Sequence, residues 1–132
     1  MTILEEVSLI LNRKAHSSRT YCFTRWNDSL LAIYHRIEER SFSRELVYTR
    51  EELLEREQKR GFEGLIQFVD NRATAVLMIY DDTEPGVIYI DTLAVAFPGQ
   101  GIGHTLLEAL ISVARGRGYR GLALDTEWVN EQ

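Results

Sequence analysis

Three glycines fall within five positions of "FPGQGIGHTLL", at Gly99, Gly101 and Gly103, directly ahead of a helix-forming run. Glycine tolerates positive φ and leaves neighbouring backbone N–H groups uncovered by a Cβ. Joined to the first turn of a helix, such donors form a concave ring at the positive end of the helix dipole. A ring of that kind suits a phosphate-like anion. Hydrogen bonds to a charged acceptor contribute about 1.5–3 kcal/mol each, so three or four anchor a diphosphate. The same glycines also fit a tight turn that binds nothing, and spacing alone leaves both readings open. Two phosphate-loop templates fail. No Lys followed by Ser or Thr closes the loop, and G-x-G-x-x-G needs glycine where His104 stands. Asp125, at the end of the next strand, still mimics the ribose-binding acid of a dinucleotide fold, which keeps a nucleotide-binding domain as an alternative.

Asp91 is the other chemical residue, an acid inside an otherwise apolar strand, where burial requires a partner or a purpose. One purpose is to accept a proton; the competing one is to cap backbone or pair with an arginine. Tyr89, two residues earlier, faces the same side. Glu84 and Asp82 in the preceding turn are weaker choices. His104 belongs beside the anion rather than in catalysis. His16, His35 and His104 show no metal-ligand spacing, so no metal is expected. The single cysteine, Cys22, excludes an internal disulfide framework, reads as a small buried hydrophobe and suits a reducing cytoplasm. A net charge of −5 argues against nucleic acid as the main partner. Arg115, Arg117 and Arg120 lie where a helix should end and complement its carbonyls. No apolar run reaches the length of a membrane span and no signal peptide is evident, so a cytoplasmic location is expected.

The elements that must hold these residues follow from periodicity. At 132 residues the chain makes one domain. Thr2 and Glu5 form a capping box for a helix over about residues 3–14, within an N-terminal helical extension at 1–19. "TYCFTRW" reads as a strand. Asn27-Asp28-Ser29 caps a helix whose buried face carries Leu30, Leu31, Ile33, Tyr34 and Ile37. Thr49 and Glu52 open "REELLEREQKR", a solvated face of close ion pairs that stops at Gly61. "LIQFV", "ATAVLMIY" and "VIYIDTLAVAF" form an antiparallel meander with turns at "DNR" and "DDTEPG". The third run, nearly all apolar, is expected to be central. Leu106, Leu107, Leu110 and Val113/Ala114 mark a helix to about Arg117, stopped by Gly118. "LALD" is a last strand parallel to the third run. The order is α-β-α-α-β-β-β-α-β, an α/β (α+β) fold with a mixed, largely antiparallel sheet flanked by helices.

From about Tyr21 onward the sequence resembles the GNAT superfamily of N-acetyltransferases. The likeness is most specific in "YIDTLAVAFPGQGIGHTLLEALISVARGRGYRGLALD", which holds the family's L-x-V strand end and [Q/R]-x-x-G-x-[G/A] loop. The resemblance implies that Gln100, Gly101, Ile102, Gly103, His104 and Thr105 cradle the diphosphate of acetyl-CoA through backbone N–H groups. It implies also that Leu93, Ala94 and Val95 pair with the pantetheine arm as an added strand. Pro98 stands where the family has Gln or Arg and removes both a side-chain donor and an N–H. The implied reaction is acetyl transfer to an amine, a small molecule or a peptide, with the acidic balance favouring a cationic acceptor. Presenting a neutral amine at pH 7 costs about 4–5 kcal/mol, and Asp91 is the candidate proton acceptor. Phe42 to Leu46 are expected to overhang the acceptor.

The family's last helix, with its general-acid tyrosine, and the final strands are missing after "DTEWVNEQ", where Asn130 resembles the first residue of an N-x-x-A pattern. One expectation is a homo-oligomer that completes the sheet along the edge at Leu122 to Asp125. The leading function is an acetyl-CoA-dependent N-acetyltransferase. The alternative is a CoA-binding regulatory or interaction module with weak or no catalysis.

Overall fold

The computed structural model describes residues 1–14, 18–41, 47–97 and 99–124. Its elements are α1 (Ile3–Lys14), β1 (Ser18–Phe23), α2 (Asp28–Arg40), α3 (Arg50–Glu57), β2 (Glu63–Val69), β3 (Arg72–Asp81), β4 (Val87–Val95), α4 (Ile102–Gly116) and β5 (Gly121–Leu124). This is the order read from periodicity. Most boundaries move by a residue or two. The first strand ends at Phe23 rather than running through Trp26, which instead buries its ring against Phe23 at 4.7 Å between centroids.

The five strands lie in the order β1-β2-β3-β4-β5. The first three pairings are antiparallel and β4 pairs with β5 in parallel, α4 supplying the crossover. Asp70 and Asn71 both take positive φ in the β2–β3 turn. That is the primed two-residue hairpin whose twist matches its strands.

Period-two alternation sends side chains to two cores. Leu65, Ala75, Leu77, Ile79, Ile88 and Ile90 join α1 and α4 on one face. Ile66, Val76, Met78 and Ala94 join α2, Leu53 and the Phe23–Trp26–Phe62 group on the other. Gly64 admits that aromatic group, since a Cβ there would lie 2.3 Å from Phe23 Cζ. The N-terminal end of α1 is tied in from two sides. The Glu63 carboxylate accepts from Leu4 N at 2.8 Å, and Arg117 bonds Glu6 and the carbonyls of Met1 and Thr2. Arg117 and Arg120, the latter paired with Glu84, are thus engaged in ion pairs rather than left to the carbonyls of the α4 end.

The strand expected to be central is not. β3 is, with Thr74 through Ile79 all buried, while β4 lies one place in from the edge. Its apolar run reflects packing on both faces, but its described pairing with β5 covers only Val87 to Ile90. Beyond Ile90 the β5-facing side of β4 carries no described partner strand.

Candidate active site

Each helix but one begins with side-chain caps. Thr2 and Glu5 exchange bonds at α1, Asn27 accepts from Leu30 N at 2.8 Å, and Thr49 with Glu52 completes a capping box at α3. These satisfy N–H groups that a helix start otherwise leaves bare. α4 differs. Its N-cap is Gly101, with no side-chain cap and no acid in the first turn. The first bond of its backbone is Thr105 N to Gly101 O at 3.0 Å, and the Thr105 hydroxyl donates to the same oxygen at 2.9 Å. Among the described residues, no protein acceptor is bonded to the N–H of Gly101, Ile102, Gly103 or His104.

The glycines keep the space above those amides open. Gly99 and Gly101 have φ of +91 and +74, and a Cβ on either would meet nothing within 4 Å. Gly103 serves packing instead, its Cβ position lying 3.3 Å from Val95 Cγ2 where α4 meets β4. His104 points to solvent and faces Glu108 one turn on, at 3.4 Å. Gln100 is exposed. Leu93 and Val95 pack toward α4, Ile102 at the start of α4 packs on the same cluster, and Ala94 packs toward α2. Leu93, Ala94 and Val95 lie on the β4 stretch beyond its described β5 pairing, adjoining the bare helix start. Pro98, residues 42–46 and residues 125–132, with Asp125 and Asn130, lie outside the described residues.

Asp91 sits where the β3–β4 register slips between Met78 and Ile79. Such a bulge inserts an unpaired residue and re-aims side chains. Its carboxylate is 3% exposed. It accepts from Tyr80 Oη at 2.6 Å and Thr92 Oγ1 at 2.8 Å, with Arg56 Nε at 3.5 Å. Arg56 in turn lies over the Tyr48 ring, 4.2 Å from Cζ to centroid. Burial, reinforced by Asp91, pushes the Tyr48 phenol up to about 12 and the Tyr80 phenol up as well. Tyr89 faces the same side, its ring 5.3 Å from that of Tyr80. Both of the roles open to Asp91 therefore have partners at hand: an arginine to pair with, and a phenol that can pass it a proton. Glu84 and Asp82 are otherwise engaged, the first with Arg120 and the second with the Glu84 amide.

The segment leading into α3 is held from α2. Tyr34 Oη accepts from Tyr48 N at 3.0 Å and donates to Glu38 at 2.9 Å, while Ser41 Oγ donates to the other Glu38 oxygen at 3.1 Å. His35 bridges Leu31 O and Tyr48 O. Burial raises the pKa of Glu38.

Sequence reasoning missed Tyr48, Arg56, Tyr80 and Thr92. The helix of Arg56 was read as a solvated face, yet Arg56 turns in toward Asp91 and Glu57 accepts from Trp26 N at 2.7 Å. An acid within an apolar strand was the one available signal that a cation had to come from somewhere. Among the described residues, no group of three or more His, Cys, Asp or Glu could hold a metal ion, and no helix is long and apolar enough to cross a membrane.

A family model described as the acetyltransferase (GNAT) family matches residues 26–132. Solved structures that share the fold include three acetyltransferase-type enzymes. The ribosomal-protein-S18-alanine N-acetyltransferase of Escherichia coli is 19% identical with a TM-score of 0.62, over 80% of this chain and 65% of that one. The chain thus spans just under two-thirds of that enzyme. An aminoglycoside acetyltransferase from an uncultured soil metagenomic sample is 19% identical with a TM-score of 0.59, over 88% and 82%. The N-acetylglutamate synthase of Neisseria gonorrhoeae, complexed with coenzyme A and N-acetyl-glutamate, is 22% identical with a TM-score of 0.57, over 85% and 27%. At these identities the structures speak to fold alone. No curated protein matches the sequence. With the family model spanning residues 26–132, the chain belongs to the GNAT acetyltransferase family.

Proposed function

We propose that the chain is an N-acetyltransferase that moves the acetyl group of acetyl-CoA to an amine. The observation that carries this reading is the bare start of α4, uncapped beside two left-handed glycines while the other helices are capped. Those amides are free to donate to a diphosphate, the anion that acetyl-CoA brings. Leu93 to Val95 pair with β3 on one side and carry no described partner on the β5-facing side, which supports an extended arm bonding there as a further strand. The family membership supports acetyl-CoA as the donor, since members of the family use it.

The amine nitrogen attacks the thioester carbonyl, forming the C–N bond as the C–S bond breaks. The ammonium form must first lose a proton. We assign Asp91 as the acceptor of that proton, reached through the Tyr80 hydroxyl that already donates to it at 2.6 Å. The amine proton passes to Tyr80 Oη as the phenolic proton passes to Asp91, so the phenol never carries charge through the step. That order suits a phenol whose pKa burial has raised. The second nitrogen proton leaves with the thiolate, giving free CoA.

Release of free thiol from acetyl-CoA, followed with a panel of small-molecule and peptide amines, tests the reading. Amine-dependent thiol release is expected. CoA binding with no turnover across the panel would instead make the chain a binding module.

A further inference from the structure

Phe97, just beyond β4 and two residues before Gly99, carries two guanidinium groups on its ring. Arg72 Cζ lies 4.7 Å from the ring centroid and Arg40 Cζ lies 5.6 Å from it. The two are remote in sequence. Arg40 is the last residue of α2 and Arg72 the first of β3, and the fold brings both to the C-terminal end of β4. Among the described residues, neither guanidinium pairs with a carboxylate. Two positive charges thus converge on the residue two positions before Gly99, with no carboxylate paired to either among the described residues, in a chain with net charge −5. An arginine laid on an aromatic ring is oriented while its N–H edge stays free, and that edge matches phosphate in a two-point fork.

We propose that Arg40 and Arg72, seated on Phe97, form the cationic side of the coenzyme phosphate site. They supply the side-chain donors that Pro98 lacks at the loop position where the family carries Gln or Arg. The inference rests on the acetyl-CoA reading above and extends it to residues of α2 and β3 that no loop motif contains. The shared chemistry is phosphate, which CoA offers both as its diphosphate and as its ribose 3′-phosphate.

The test is calorimetric titration of the full chain with CoA and with 3′-dephospho-CoA. The proteins compared are the wild type, Arg40→Ala, Arg72→Ala, and Arg13→Ala as a control for general charge loss. Arg40, Arg72 and Arg13 are all exposed, so these variants should melt near the wild type. Each of the first two is expected to weaken CoA about 5–20-fold, with Arg13→Ala unchanged. A loss for CoA alone places the arginines on the 3′-phosphate; an equal loss for both ligands places them on the diphosphate. Wild-type affinity retained in Arg40→Ala and Arg72→Ala, or an equal loss in Arg13→Ala, overturns the inference and leaves the loop reading standing. Failure of the wild type to bind CoA at all removes the loop reading and this inference with it.

Discussion

Replacing Gly101 with alanine separates what the loop backbone requires from what its ligand requires. Gly101 holds φ at +74, and a Cβ there would meet no heavy atom within 4 Å. The substitution therefore carries no steric clash, only the cost of a left-handed backbone, about 1–2 kcal/mol. In a domain of this size that lowers the melting temperature by about 4–10 °C. Binding adds a second effect. The new methyl enters the open space beside the bare amides, and displacing one charge-assisted hydrogen bond of about 1.5–3 kcal/mol weakens CoA roughly 10–150-fold. Differential scanning fluorimetry reads the first quantity and calorimetry, well below the melting point, reads the second. Gly103→Ala is the comparison: its backbone is not left-handed, and its Cβ would face Val95 rather than open space. A melting shift in Gly101→Ala with CoA affinity held within twofold would refute the placement of the ligand over these amides.

Three further outcomes follow from the geometry. Asp91→Asn and Tyr80→Phe are each expected to lower kcat about 10²–10³-fold while leaving the KM for acetyl-CoA close to wild type; a kcat within threefold in both removes the proton relay. Glu38 and Glu63 have carboxyl pKa values raised by burial above the ordinary 4.5. A raised group binds its proton more tightly folded than unfolded, so its contribution is full below pH 4.5 and is lost as pH rises through the raised value. Glu38→Gln should therefore compare better with wild type in melting temperature at pH 7.5 than at pH 5, and a pH-independent difference would contradict this. Gly64→Ala forces a Cβ to within 2.3 Å of the buried Phe23 ring and should cost about 1–3 kcal/mol in urea unfolding, whereas a neutral result would mean that the aromatic group repacks freely.

The helices and the hairpin were legible because their signals are local. Caps at Thr2, Asn27 and Thr49 and the glycines of the loop each announce a backbone state within a few residues of themselves. The rank of the strands was not local. β4 looked central because both its faces are covered, but burial by helices and burial between strands leave the same apolar run. The bulge at Asp91 was equally hidden, since nothing in "YIDTLAV" marks the extra residue that turns Ile90 toward α4 and Ala94 toward α2. Apart from its neighbour Thr92, the partners of Asp91 come from α3 and β3, and those of Phe97 from α2 and β3, so only the assembled fold reveals either cluster. An amphipathic count places Arg56 on a wet face, while the demand of a buried carboxylate draws it inward.

The backbone amides at the start of α4 are observable one at a time. In an ¹H–¹⁵N correlation spectrum of the labelled chain, titration with CoA should shift the amide resonances of Gly101, Ile102, Gly103 and His104 downfield, ahead of any other described segment. Saturating CoA that leaves those four signals in place, or moves only resonances elsewhere, would contradict diphosphate binding at this loop.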